Sequence, residues 1–202
     1  MTVVDQIAVR QLGLAPYLPT LEAMRRFTAE RSDSTPDELW LLEHPPVYTL
    51  GQGAAPVQVA NGIPIIAADR GGEVTYHGPG QVVLYTLVDL GRRGIKVKGF
   101  VRLLEQAVID LVGPRAARCS GAPGVYVDGA KIAALGIRVT RGRAYHGLAL
   151  NVDMDLAPFS AIDPCGYPGL PVTQTRDIGL AGTPAQIGER LVQLVVTHIE
   201  NA

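Results

Sequence analysis

Apolar residues recur along the chain with two periods, and the alternation between them divides it into elements. A helical period, with apolar positions three and four residues apart, runs through three segments. Over 17–31, Tyr17, Leu21, Met24 and Phe27 form one stripe that stops at Ser32-Asp33-Ser34. Over 99–112, Phe100, Leu103, Leu104, Ala107, Val108, Leu111 and Val112 form another, closed by Gly113-Pro114. Over 184–199, Ile187, Leu191, Leu194 and Val195 supply the apolar face. Here Thr183 is an N-cap, Pro184 suits the first helical position and Gln186 completes a capping box. Short β-rich runs lie between the helices, at 5–11, 38–43, 47–50, 63–68, 82–89, 124–127, 131–139 and 144–152. Asp128-Gly129, between two such runs, predicts a tight antiparallel hairpin. Strands do not alternate one-for-one with helices. The pattern predicts an α+β fold, a single domain over 1–202 with a mixed, largely antiparallel sheet flanked by helices.

Composition narrows the class. The chain has 202 residues, 47% hydrophobic and 18% charged, enough apolar material for a core. Lys+Arg (18) and Asp+Glu (19) nearly cancel, so neither nucleic acid nor an acidic lipid surface is expected as a partner. Two cysteines make neither a disulfide scaffold nor a cysteine zinc site, and the four histidines show no metal-ligand spacing. The opening Met-Thr-Val-Val-Asp-Gln has no basic segment leading an apolar run, and no apolar stretch is long enough for a membrane span. A cytoplasmic protein, without metal or cofactor, is the expectation.

Three segments carry the chemistry. The first is Arg70-Gly71-Gly72-Glu73-Val74-Thr75-Tyr76-His77-Gly78-Pro79-Gly80-Gln81. It lies between strands, as an extended loop or a strand edge. Its glycines leave room for a ligand against the backbone, while Arg70, Thr75, Tyr76, His77 and Gln81 supply polar groups. No Gly-Lys-Ser/Thr follows, so it is not a phosphate loop, and a strand follows where a dinucleotide fingerprint would need a helix. The second is Asp163-Pro164-Cys165-Gly166-Tyr167-Pro168-Gly169, a rigid turn that presents a thiol. Cys119, beside a strand edge, lacks any such setting. The third begins at Lys131, which opens the apolar run Ile132-Ala133-Ala134-Leu135-Gly136. Its ammonium either snorkels to water or sits at a pocket mouth, where it would hold a nearby thiolate or act as a base. Arg92, Arg93, Lys96 and Lys98 form the densest basic cluster.

Together these motifs resemble the bacterial lipoyl(octanoyl) transferase family. The resemblance runs through Glu43-His44-Pro45-Pro46-Val47-Tyr48-Thr49-Leu50-Gly51, the 70–81 segment, Lys131-Ile132-Ala133, Gly147-Leu148-Ala149-Leu150-Asn151-Val152 and Pro164-Cys165-Gly166. It implies the fold shared with biotin and lipoate protein ligase catalytic domains. It also implies a reaction in which an octanoyl group leaves octanoyl-acyl carrier protein, rests on Cys165 as a thioester, and ends on a lysine of a lipoyl domain. Those lipoyl domains belong to 2-oxoacid dehydrogenase complexes and the glycine cleavage H protein. By the resemblance Lys131 partners Cys165. Arg70, Gly71, Gly72, Glu73, Val74, Thr75, Tyr76 and His77, with Ala134, Leu135, Gly136, Gly147, Leu148 and Ala149, would line the acyl site of a monomer that needs no ATP. The alternative on the same fold is an ATP-dependent lipoate or biotin protein ligase.

Overall fold

The structure, a computed structural model, describes residues 6–55, 57, 59–162 and 170–202. Its organising element is the strand β6 (Gln81–Asp89), in which every residue is buried. A strand in that position must be covered on both faces, and its run of apolar residues reads accordingly. It is the third strand of a seven-stranded sheet in the order β1-β2-β6-β10-β9-β8-β7. The others are β1 (Ile7–Leu14), β2 (Asp37–Glu43), β7 (Ala116–Cys119), β8 (Ala122–Val127), β9 (Ala130–Thr140) and β10 (Arg143–Asn151). Only β1 and β2 pair in parallel; every other neighbour is antiparallel. A second sheet has the order β4-β3-β5, from β3 (Val47–Leu50), β4 (Ile65–Ala67) and β5 (Val74–His77).

The period of two along β6 sorts its side chains between two cores. Val82, Leu84 and Val88 face the helices α3 (Val97–Val112) and α4 (Pro184–Glu200) in the larger core. Val83, Tyr85 and Leu87 face the other way, toward the helix α1 (Tyr17–Glu30) through Tyr17, Leu21 and Met24. Tyr48, Val74, Tyr76 and Phe159 form a third cluster on the small sheet. The sheet thus has one face closed by two helices. Its other face is shared between a helix and a smaller sheet, and that sharing leaves a cavity.

The mixed, largely antiparallel sheet and all three helices agree with the patterning, and the capping box of Thr183 and Gln186 is formed in full. The Asp128-Gly129 turn joins β8 to β9 with positive φ at both residues, as the tight hairpin turn requires. Four short elements were not legible, one of them a 3-10 turn at Ala157–Ala161. The helix α2 (Leu90–Arg93) is a single turn capped by the Asp89 carboxylate. Strand β7 is an edge with three of four residues exposed, so it lacks alternation. Strand β5 lies inside the glycine-rich segment, and only its pairing with β3 defines it.

The basic cluster is partly spent inside the fold. Arg92 and Arg93 both bind Asp37, as does Arg31, at 2.5–2.7 Å, and the backbone N–H of Asp89 donates to the same carboxylate. Among the described residues no helix is long and apolar enough to cross a membrane.

Candidate functional site

The cavity lies between the face of β6, β9 and β10 that turns from α3 and α4, and the segment 70–77. Arg70 holds that segment in place. Its buried guanidinium donates to the carbonyl and hydroxyl oxygens of Thr49 on β3 (2.7 and 2.8 Å) and to the Gly71 carbonyl. The Gly71 N–H donates to the Ile137 carbonyl on β9 (3.0 Å), so the loop is clamped between the two sheets. The clamp is tight: a Cβ on Gly51 would stand 2.1 Å from the Gly72 carbonyl oxygen.

Of the residues singled out in the sequence, Arg70, Gly72, Glu73, Val74, Thr75, His77, Lys131, Ala134, Leu135, Gly136, Gly147, Leu148 and Ala149 line the cavity. Gly71 and Tyr76 do not. Gly71 spends its backbone on β9. Tyr76 alternates to the opposite side of β5, where its ring packs on Tyr48 and Phe159. The glycines after it have structural neighbours and no ligand approach. A Cβ on Gly78 would meet the Tyr76 hydroxyl at 2.3 Å, and one on Gly80, at φ +86°, would meet the Asp153 carbonyl at 1.9 Å. Cys165 falls outside the described residues. Cys119 is exposed on the edge strand β7 and does not line the cavity.

Lys131 is buried, 4% exposed, which removes the snorkelling reading. Its Nζ lies 3.4 Å from the Pro123 carbonyl and over the Tyr126 ring. Its backbone pairs in parallel with Val172: Lys131 N–H donates to the Pro171 carbonyl (2.8 Å) and Thr173 N–H to the Lys131 carbonyl (2.9 Å). Phe159 and Val172, six residues before and seven after Cys165 in sequence, are part of the lining of the same cavity.

Beneath the cavity sits a group of buried polar rings. His44 donates from Nδ1 to the Ala15 carbonyl (2.6 Å) and accepts the Tyr85 hydroxyl at Nε2 (2.7 Å). The Tyr17 ring stacks on His77 and meets His44 edge-on. His146 donates from Nε2 to Asp69 (2.8 Å), which also accepts from Tyr145 and Arg25. Burial pushes Asp69 up, but these hydrogen bonds outweigh it and hold the carboxyl well below its ordinary range. His146 is the irregular residue of β10. Its φ of +63° turns an imidazole that alternation would send toward α3 and α4 onto the cavity side, beside Tyr85. Gly147 follows because a Cβ there would stand 2.1 Å from the Leu84 carbonyl oxygen. Tyr17, Val83, Tyr85, Asn151, Phe159 and Val172 line the cavity too, and sequence reasoning missed them. The parity of β6 was a usable signal for Val83 and Tyr85; the reversal at His146 has no sequence signature.

Burial sets the charge state of these rings. It lowers His44 to about 4, and burial with the neighbouring His44 lowers His77 to about 3. In the unfolded chain both titrate at roughly 6.5. Above that value neither state binds the protons. Below it the unfolded chain does and the folded one does not, so stability falls as pH drops from 6.5 toward 4. The slope reaches about 1.4 kcal/mol per pH unit for each histidine. Calorimetric melting between pH 7.5 and 5 should show the decline beginning near 6.5, well above carboxylate titration. A flat melting temperature over that range would contradict the burial of neutral imidazoles.

Residues 16–194 match the family model described as the lipoyl protein ligase A/B catalytic domain. The octanoyltransferase of Aromatoleum aromaticum is 60% identical over 191 residues, covering 92% of this chain and 83% of that protein. That of Thiobacillus denitrificans is 63% identical over 179 residues, covering 86% and 82%. Among solved structures, the bipartite lipoate protein ligase of Thermoplasma acidophilum superposes with a TM-score of 0.72 at 16% identity, covering 96% of this chain and 84% of that one. The biotin protein ligase of Aquifex aeolicus with biotin and ATP gives 0.59 at 8% identity, covering 97% and 71%. These two likenesses establish the fold.

Proposed function

The chain belongs to the family of the lipoyl protein ligase A/B catalytic domain, and from that premise we propose that it transfers an octanoyl group from octanoyl-acyl carrier protein to a lysine of lipoyl domains. The acceptors are the lipoyl domains of 2-oxoacid dehydrogenase complexes and the glycine cleavage H protein. The reading takes residues 1–202 as one monomeric catalytic domain working in the cytoplasm. Relatives named octanoyltransferases at 60% and 63% identity support it over a ligase, since the ligases resemble this chain at 16% and 8%.

In the first step the Cys165 thiolate attacks the thioester carbonyl. The C–S bond to the carrier breaks, the carrier thiolate leaves and takes up a proton, and the acyl group rests on Cys165. In the second step the lysine amine of the lipoyl domain attacks that carbonyl. The Cys165 C–S bond breaks, an amide forms, and the amine's surplus proton passes to the site while the thiolate is regenerated. Both steps exchange acyl bonds without a phosphate, so no ATP enters. Lys131 has two roles: its ammonium holds the thiolate by charge and gives a proton to the leaving carrier thiolate, and the neutral amine so formed takes up the surplus proton of the attacking lysine.

The observation that carries the reading is a buried lysine on a cavity walled by Val83, Leu135 and Leu148 beside the small Ala134, Gly136, Gly147 and Ala149. That lining suits a straight aliphatic chain. Phe159 and Val172, on either side of Cys165 in sequence, line the same cavity. Incubation of the enzyme, octanoyl-acyl carrier protein and a purified lipoyl domain without ATP should give an octanoyl amide on the lipoyl lysine. A strict requirement for ATP and free octanoate would turn the assignment to a ligase. Release of free octanoate with no amide would turn it to a hydrolase.

A further inference from the structure

Three side chains and one backbone pairing run in an unbroken line along the cavity. His77 Nδ1 lies 2.7 Å from Gln81 Oε1. Gln81 Nε2 donates to the Tyr76 carbonyl (3.2 Å) and to Asn151 Oδ1 (3.0 Å). Asn151 Nδ2 donates to the Thr173 carbonyl (3.0 Å), and the Thr173 N–H donates to the Lys131 carbonyl (2.9 Å). Gln81, Asn151 and His77 are all buried, and all line the cavity.

The polarity of this line follows from its ends. The Tyr76 and Thr173 carbonyls only accept, so each amide must direct its nitrogen at them. Gln81 has then committed its NH2 group, and the atom facing His77 is its carbonyl oxygen. An acceptor there requires that His77 Nδ1 carry the proton, which leaves Nε2 with a lone pair. Thr49 Oγ1 lies 3.5 Å from that Nε2, at the limit of a hydrogen bond, and itself accepts from Arg70.

We infer that Gln81 and Asn151 are positioning residues that lock His77 into the Nδ1–H tautomer, so that its Nε2, beside the Thr49 hydroxyl, is an acceptor at the cavity wall in fixed register with the Lys131 strand. The inference deepens the acyl-transfer reading and rests on it: the acceptor suits the N–H of an incoming lysine amine, a donor that the apolar walls leave unsatisfied. The fixed register matters because Thr173 and Lys131 belong to the pairing that follows the Cys165 segment in sequence. One line therefore sets the imidazole relative to the backbone of Lys131.

The groups facing His77 come from every element around it: Tyr17 on α1, His44 after β2, Arg70 before β5 and His146 on β10. None of these is an anion. Gln81→Glu would place one against Nδ1–H and favour the imidazolium. The acid limb of the pH profile for transfer should then move up by at least about one pH unit. Asn151→Leu cuts the line to the Lys131 strand while the Tyr76 carbonyl still holds the Gln81 NH2, so long-range proton–nitrogen NMR spectra should keep the Nδ1–H tautomer and kcat should fall by about tenfold or more while the KM for the acyl donor moves less. The wild-type spectrum decides even where a variant does not fold, and it decides independently of turnover. An unprotonated Nε2 with Nδ1–H supports the inference; a proton on Nε2 overturns it. So does a folded Asn151→Leu protein with unchanged kcat, or a folded Gln81→Glu enzyme whose acid limb stays in place.

Discussion

Replacing Lys131 with methionine is expected to lower octanoyl transfer by about a thousandfold, roughly 4 kcal/mol of transition-state stabilisation, while leaving the melting temperature nearly unchanged. Methionine keeps an aliphatic stem against Gly124, where a lysine methylene lies 3.2 Å from the position a Cβ would take. It removes the charge, with the ammonium's contacts to the Pro123 carbonyl and the Tyr126 ring. If that charge holds the Cys165 thiolate, the thiol pKa should rise by at least about one unit, equivalent to roughly 1.4 kcal/mol. Alkylation rate against pH reads this directly, and a Cys119→Ser background is needed because the Cys119 thiol is exposed. Retained transfer with an unmoved alkylation profile would reduce Lys131 to a packing residue.

The second large effect is on stability and lies away from the cavity. Asp37 is fully buried, and Arg31, Arg92 and Arg93 converge on its two oxygens together with the Asp89 N–H. Burial alone would raise this carboxyl, but the Asp89 N–H and the arginines hold it below its ordinary value. Asp37→Ala leaves the Arg31 guanidinium, with 1% of its side chain exposed, without its counter-charge. Loss of one partner from a buried pair costs about 3–5 kcal/mol. For a chain of this size that corresponds to a melting temperature lower by roughly 10 °C. A change below about 1 kcal/mol, the range of exposed pairs, would show that water reaches this cluster.

What was legible in the sequence follows physical lines. The helices at 17–30, 97–112 and 184–200 announce themselves because each buries one stripe against a sheet and exposes the rest. The Asp128-Gly129 turn is legible because its backbone demands those residues. Strand β5 is obscured because glycines surround it and its partner, β3, lies far back in the chain. In the site, the segment 70–77 and Lys131 are marked by composition, polar groups and glycine beside apolar strands. The buried rings are not so marked. Tyr17 reads as one more apolar position of a helix and Tyr85 as one more of a strand, yet both face the cavity. His146 reads as a core-facing strand residue, and only its left-handed backbone turns it around. Asp37 gives no warning either, because the three arginines that hold it come from the end of α1 and from α2, elements joined to it only by the fold. The basic run around Arg92 is the converse case: a surface cluster by sequence that the fold draws inward.

The account turns on a covalent intermediate at Cys165, and intact-mass analysis after mixing the enzyme with octanoyl-acyl carrier protein tests it most directly. The protein should gain the mass of one octanoyl group, the modified peptide should contain Cys165, and adding a lipoyl domain should discharge the adduct into an amide on that domain. Cys165→Ala should form no adduct and no amide. An adduct carried by Cys119, or an enzyme whose mass stays unchanged while amide accumulates, would contradict the account.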